Sequence, residues 1–208
     1  MPVPIYHITH LNNLATIVNR GELCCDRQVA AGVVQATGIA HQHIKERRAK
    51  HRVTKGPAGT LSDYVPFYFA PRSPMLYAIS RGNVEGYDGG QREVLHLVTD
   101  VETIVNAGLL YVFTDGHADM AFSEQFDDLA HLSRIDWEIM TAKYWRDTPQ
   151  DNDRKRRRQA EFLVHEACPW DCINEIGVID QAVADAVGTI LAATNATTTV
   201  SVRPEWYY

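Results

Sequence analysis

A chain of 208 residues with 45% hydrophobic content is of single-domain size and can build an ordinary globular core. Its net charge of −6 argues against a general nucleic-acid coat protein, and no apolar run reaches the length of a membrane span. The start, Met1-Pro2-Val3-Pro4-Ile5, lacks the apolar core of a signal peptide, so a cytoplasmic protein that makes no use of the membrane is expected.

Ile5-Tyr6-His7-Ile8 alternates and predicts a short strand. Leu11, Leu14, Ile17 and Val18 then recur at helical spacing, and Gly21 is placed to end that helix. Residues 28–60 are rich in Ala, Gly, His and cations and have no strand period; they read as one or two helices in a long functional loop. A buried strand is predicted at 65–69, which Pro71 and Pro74 stop before a helix over 73–79. Strands at 93–98 and 109–113 flank a short helix capped by Asp100 and ended at Gly108. Residues 114–160 are mostly polar, with Trp137, Tyr144 and Trp145 interspersed, and a stretch this long without clear strands is usually functional. Further strands are predicted at 161–165, 176–179 and 197–202. Asp180 caps a helix that carries Val183, Val187, Ile190 and Leu191 on one face. Scattered strands and short helices without βαβ alternation predict an α+β domain spanning 1–208.

The basic residues are unevenly placed. Six lie in 45–55 (Lys45, Arg47, Arg48, Lys50, Arg52, Lys55) and five in 154–158, on an otherwise acidic body. Two such runs point to a shared phosphate-lined groove. The second run leads directly to Glu161, the only acid between Asp153 and Glu166, at the start of an apolar strand. A single carboxylate held rigidly in a positive field suits polarising a ribose hydroxyl or stabilising a developing cation; a solvated helix end before an edge strand is the plainer reading. Other chemistries find less support. His41, His43 and His51 have no accompanying carboxylate or thiol set, so no metal is expected. There is no P-loop, no dinucleotide-binding glycine pattern and no Gly-x-Ser-x-Gly. Cys24, Cys25, Cys168 and Cys172 fit no zinc spacing and read as reduced packing residues.

Three segments carry a more specific likeness: Tyr6-His7-Ile8-Thr9-His10 with Asn13-Leu14, the run from Asp63 to Tyr77 that contains Tyr68-Phe69-Ala70-Pro71-Arg72-Ser73-Pro74, and Arg157-Arg158-Gln159-Ala160-Glu161-Phe162-Leu163-Val164. Together they resemble the DarT family of bacterial DNA ADP-ribosyltransferase toxins over residues 5–180, nearly the whole chain. Tyr68-Phe69-Ala70 followed by Ser73 and Tyr77 is also similar to the equivalent strand and helix of poly-ADP-ribose polymerases.

The resemblance implies an ADP-ribosyltransferase fold, with two packed central β-sheets, flanking helices and an NAD cleft between the sheets. His7, Ile8, Thr9, Asn13, Tyr68, Ser73 and Tyr77 would bind NAD, the substrate, with no metal. Residues 28–52 would cover it, and Arg52 would reach the pyrophosphate or the reacting centre. Glu161 would be the catalytic glutamate, with Arg52 as its partner. Residues 115–160 would present the target base, commonly thymine, of single-stranded DNA. Arg47, Arg48, Lys50, Tyr144, Trp145, Arg154 and Arg156 would contact that strand. The family's usual partner is a macrodomain antitoxin of the DarG type. Two readings from other classes stand beside this one: a non-catalytic single-stranded nucleic-acid binding module, and an ADP-ribosyltransferase acting on RNA or protein. The sequence leaves open whether the target is thymine or guanine, and whether His117 or His131 faces the DNA.

Overall fold

The structure is a computed structural model that describes residues 2–208. The elements begin with β1 (Pro4–His10), α1 (Leu14–Arg20), β2 (Glu22–Cys24), α2 (Asp26–Ala30), α3 (Gln42–Arg48), β3 (Arg52–Val53) and β4 (Gly59–Thr60). They continue with β5 (Tyr64–Tyr68), α4 (Pro74–Ser80), β6 (Val94–Asp100), α5 (Val101–Asn106), β7 (Tyr111–His117), β8 (Gln125–Phe126) and α6 (Trp137–Thr141). The last are α7 (Arg154–Arg157), β9 (Ala160–His165), β10 (Ala167–Pro169), β11 (Glu175–Val178), α8 (Gln181–Thr194) and β12 (Thr199–Val202).

The helix boundaries follow local chemistry. Gly21 takes a left-handed φ of 75° that closes α1, where a side chain would be strained. Ser73 accepts the Leu76 amide and Pro74 fills the first turn of α4. Asp100 and Asp180 cap α5 and α8 through their carboxylates. In α8, Val183, Val187 and Leu191 recur four apart and are buried. With α1 and α5 they cover the sheet, sealing a core that includes Ile5, Phe67, Leu97, Phe162 and Ile176.

Eight strands form one sheet in the order β12-β11-β6-β1-β5-β9-β7-β8. Where the resemblance implies two packed central sheets, the strands form one large sheet, joined most weakly at β1–β5. β1 shares seven register pairs with β6, but it meets β5 at a single pair, Tyr6 opposite Tyr68. Pro66 explains the weak join in part. It faces β1 and has no N–H to donate, while its carbonyl accepts from the His7 ring Nδ1 at 2.8 Å. A side chain thus replaces a ladder rung, and the sheet opens into a cleft.

Candidate active site

The cleft has two adjoining lobes. The first, about 170 Å³, is lined by His7, Ile8, Thr9 and Asn13 from β1 and its exit, by Asp26, and by residues 34–40 of the long loop. The second, about 200 Å³, is lined by Arg48, His117, Glu161, Met75 and Ala78. Tyr68, Pro66, Lys45 and Asp26 border both. Each lobe is of ligand-site character, concave and mostly apolar with a few convergent polar groups.

Glu161 forms the floor of the second lobe. It sits opposite Tyr68 in the β5–β9 register, which places the two side chains on one face. Its side chain is 2% exposed. Oε2 accepts from Arg48 Nη1 at 2.9 Å and Oε1 accepts from the Ala118 amide at 3.1 Å. That amide is available because β7 bulges: four steps from Phe113 to His117 match two steps from Phe162 to Ala160. Thr114, inside the bulge, accepts the Glu161 amide at 3.3 Å and donates to the Gly116 carbonyl at 2.6 Å. At Gly116 a Cβ would collide with the Arg156 side chain, so the tight bulge requires glycine.

The surrounding groups have settled protonation states. Burial opposes the Arg48 cation, but Glu161, Asp26 and Tyr68 outweigh it, and its pKa lies above that of a free arginine. Arg48 Nη2 is buried with no hydrogen-bond partner. Burial raises the Tyr68 phenol pKa, reinforced by Glu161 and partly opposed by Arg48, so Tyr68 is a neutral donor. Burial lowers the pKa of both His7 and His117. His117 Nδ1 accepts the Asp119 amide at 3.1 Å, which leaves Nε2–H as the donor of a neutral ring. Asp119 is itself buried, faced by Arg47 as an ion pair without hydrogen-bond alignment and by His51 Nδ1 at 3.5 Å.

Several of the residues singled out in the sequence come together in the cleft. His7, Ile8, Thr9, Asn13 and Tyr68 line the first lobe. Asn13 also clasps the covering loop: its Oδ1 accepts the Thr37 amide at 2.7 Å and its Nδ2 donates to the Thr37 carbonyl at 3.0 Å. Others are placed differently. Arg52 is exposed on β3 and borders neither lobe; Arg48, at the inward-facing end of α3, is the arginine that reaches Glu161. Arg48 is therefore enclosed and is no phosphate contact on the surface, whereas Arg47 and Lys50 are exposed. Ser73 is fully buried as the cap of α4, and Tyr77 packs against Trp145 and Tyr208; neither lines a lobe.

Among the expected DNA contacts, Tyr144 is 74% exposed, with Lys143 Nζ 5.7 Å from its ring centre. Trp145 is packed, donating from Nε1 to the Tyr208 hydroxyl at 3.1 Å. Arg154 donates to the Tyr144 carbonyl and lies 3.8 Å from Asp151. Arg156 is held by Asp153 at 2.7 Å and Asp115 at 2.9 Å, so it braces the loop and is not available to a phosphate. His131 is exposed and packs on Phe126, away from the lobes. The sequence reading missed the Ala118 amide, which has no side-chain signature, and the roles of Asp26 and Met75 along the lobes.

The whole fold has solved counterparts. The structure of Thermus sp. 2.9 DarT in complex with ADP-ribosylated ssDNA superposes with a TM-score of 0.93 at 44% identity, covering all of this chain and 97% of that one. The same protein in complex with NAD+ superposes with a TM-score of 0.88. In sequence, the DNA ADP-ribosyl transferase of Thermus sp. (strain 2.9) is 45% identical over 209 residues, spanning 100% of this chain and 97% of that protein. A DNA ADP-ribosyl transferase-DNA ADP-ribosyl glycohydrolase fusion protein of Thermosipho africanus is 24% identical over 86% of this chain and 43% of its own length. Fold and site together define an NAD-dependent DNA ADP-ribosyltransferase. Residues 6–208 match the family described as ssDNA thymidine ADP-ribosyltransferase, DarT, and the chain belongs to that family.

Proposed function

We propose that this chain transfers ADP-ribose from NAD to thymine in single-stranded DNA, with Glu161 and Arg48 as the working pair. The observation that carries this reading is the Glu161 carboxylate, fixed at both oxygens on the floor of a lobe that adjoins the first, loop-covered lobe. Breaking the nicotinamide–ribose bond leaves an oxocarbenium-like carbon. A carboxylate on the ribose 2′-hydroxyl stabilises that charge, and such preplaced electrostatics are usually the largest catalytic contribution. The thymine N3 proton must then be lost. Arg48 is held protonated and makes a poor base, so it stabilises the deprotonated ring as a cation. Glu161 accepts the proton. Neutral His117 donates from Nε2 to a thymine carbonyl.

Single-stranded substrate fits because an unpaired base avoids the cost of extrusion from a duplex. Exposed Tyr144 offers a stacking surface, and exposed Lys50 supplies positive charge. The protein acts in the cytoplasm, where NAD and DNA meet, as a toxin countered by a macrodomain antitoxin that removes the mark. The Thermosipho fusion, which joins a transferase name to a glycohydrolase name, supports that pairing.

The test uses labelled NAD with oligonucleotides that carry one candidate base each, alongside matched RNA and protein. Transfer to thymine-containing DNA, lost in Glu161→Gln, is the expected result. Transfer to guanine alone overturns the thymine assignment, and transfer to RNA or protein alone overturns the DNA assignment.

A further inference from the structure

Most arginines of this acidic chain face a carboxylate, and Arg158 is satisfied by the carbonyls of Arg72, Ile139 and Met140. Arg72 is an exception. Among the described residues no carboxylate pairs with it, and its buried Nε has no hydrogen-bond partner. Its guanidinium carbon lies 4.3 Å from the centre of the Tyr208 ring. Arg52, Arg81 and Arg146 also lack an acid, but they are exposed side chains with no such seat.

The seat is firmly built. Gln91 brackets the Tyr208 main chain, accepting its amide at 3.1 Å and donating to its carbonyl. The Tyr208 hydroxyl accepts from Trp145 Nε1 at 3.1 Å and faces the carbonyls of Arg72 and Ser73 at 3.1 and 3.3 Å. Tyr77, 42% exposed, packs edge-on to both Trp145 and Tyr208. The cluster therefore joins the start of α4, whose Pro74, Met75 and Ala78 line the Glu161 lobe, to the segment that carries exposed Tyr144. Arg72 itself lines neither lobe.

We propose that Arg72, seated on Tyr208, binds one phosphodiester of the single-stranded DNA next to the acceptor nucleotide. The inference rests on the DNA acceptor proposed above. A guanidinium whose face is stacked presents its N–H edge in the plane that suits phosphate oxygens. An unpaired, half-buried cation beside exposed aromatic rings is the combination a single strand uses. The NAD pyrophosphate has the same chemistry, but it would lie in the cleft, and Arg72 stands outside both lobes.

The experiment is a scan of neutral methylphosphonate substitutions, one per oligonucleotide, with wild type and Arg72→Gln, reading kcat/KM for transfer. In the wild type, one position beside the acceptor is expected to cost about ten-fold. In Arg72→Gln that position is expected to cost nothing further, and the salt slope of oligonucleotide binding is expected to fall by about 0.7. The same cost at each phosphate in both proteins overturns the inference while leaving the acceptor intact. A raised KM for NAD with an unchanged phosphate profile assigns Arg72 to the pyrophosphate and also overturns it. A wild type that transfers to no oligonucleotide overturns the DNA acceptor itself. Protection of wild-type Arg72 from phenylglyoxal by oligonucleotide, and not by NAD, is expected as well; absence of that protection overturns the inference without relying on a folded variant.

Discussion

Arg48 Nη1 stands 2.9 Å from Glu161 Oε2 across 113 residues of sequence, and the two side chains retain 8% and 2% of their exposure. A buried ion pair is a modest source of stability, because desolvation offsets most of the attraction, but removing one member leaves an uncompensated charge. The same pair therefore has a catalytic and a structural consequence, and the two are separable.

Glu161→Gln is expected to lower transfer by at least 10²–10³-fold, as for other preplaced electrostatic groups. It also leaves the Arg48 cation buried without its counter-ion, at a cost of about 3–5 kcal/mol. The double variant Glu161→Gln/Arg48→Met is expected to regain much of that stability and none of the activity. Urea unfolding of the three proteins beside their turnover checks both halves. Recovery of activity in the double variant, or no stability difference between single and double, would falsify this account of the pair.

Arg48→Ala and Arg52→Ala separate two neighbours that the sequence does not. Arg52 is exposed on β3 and touches neither lobe, so its loss is expected to move stability by under about 0.5 kcal/mol and transfer by less than two-fold. Arg48→Ala is expected to lower transfer at least 100-fold. The measurement is kcat for both variants at saturating NAD, and equal loss in both would return Arg52 to the site.

That pair also marks how far the sequence can be read. The longer strands, the Asp100 and Asp180 caps, the Gly21 stop and Glu161 at the head of an apolar strand were legible because each depends on local chemistry, whereas the two- and three-residue strands β2, β3, β4, β8 and β10 are too short to show a period and were not. The choice among the cations of 45–55 was not local. It depends on where α3 ends and which way its last turn faces, and β9 is what it faces. Ser73 and Tyr77 were legible as a helix start, but their contacts depend on Tyr208, over 130 residues away. The Ala118 amide was illegible for another reason: a β-bulge supplies a backbone donor, and any residue can provide one.

Arg156 offers a test of brace against DNA contact. It is held by Asp153, Asp115 and the Ser123 hydroxyl, and it packs against the place where Gly116 has no side chain. Arg156→Gln is expected to lower the melting temperature and to raise KM for the oligonucleotide as the 115–160 segment loosens. The salt slope of DNA binding is expected to stay unchanged, because no counter-ion-releasing contact is lost. Gly116→Ala is expected to mimic it, with a destabilisation of about 1–3 kcal/mol from overpacking. A salt slope that falls in Arg156→Gln would identify it as a phosphate contact after all.

Asn13 gives a prediction confined to NAD. Its amide pairs with both the N–H and the carbonyl of Thr37, holding the 34–40 loop over the first lobe. Asn13→Leu removes both bonds at a buried position, a loss of about 1–3 kcal/mol that falls on whichever state keeps the loop closed. KM for NAD is expected to rise by five-fold or more, with KM for the oligonucleotide little changed. Asn13→Asp keeps the acceptor and loses the donor, so it is expected to fall between wild type and Asn13→Leu. Equal NAD affinity in all three proteins would remove the clasp from the account.

His96 sets a pH dependence with a definite sign. It is fully buried, Nε2 lies 3.0 Å from the Pro71 carbonyl and Nδ1 lies 3.2 Å from the Tyr207 hydroxyl. Burial pushes its pKa down to about 4, partly opposed by the bond to Pro71. An unfolded histidine titrates near 6.5, so between about 4 and 6.5 the unfolded chain holds a proton that the folded protein does not. The stability contribution is therefore complete above pH 6.5 and is lost as pH falls toward 4, to a total of about 3 kcal/mol. His7 and His117 are shifted the same way and steepen the loss. Unfolding free energies of wild type and His96→Gln at pH 7.5, 6.5, 5.5 and 4.5 check the point. The variant starts less stable, and its curve is expected to be flatter by about 2.5 kcal/mol over that range; parallel curves would mean that His96 carries no part of the acid sensitivity.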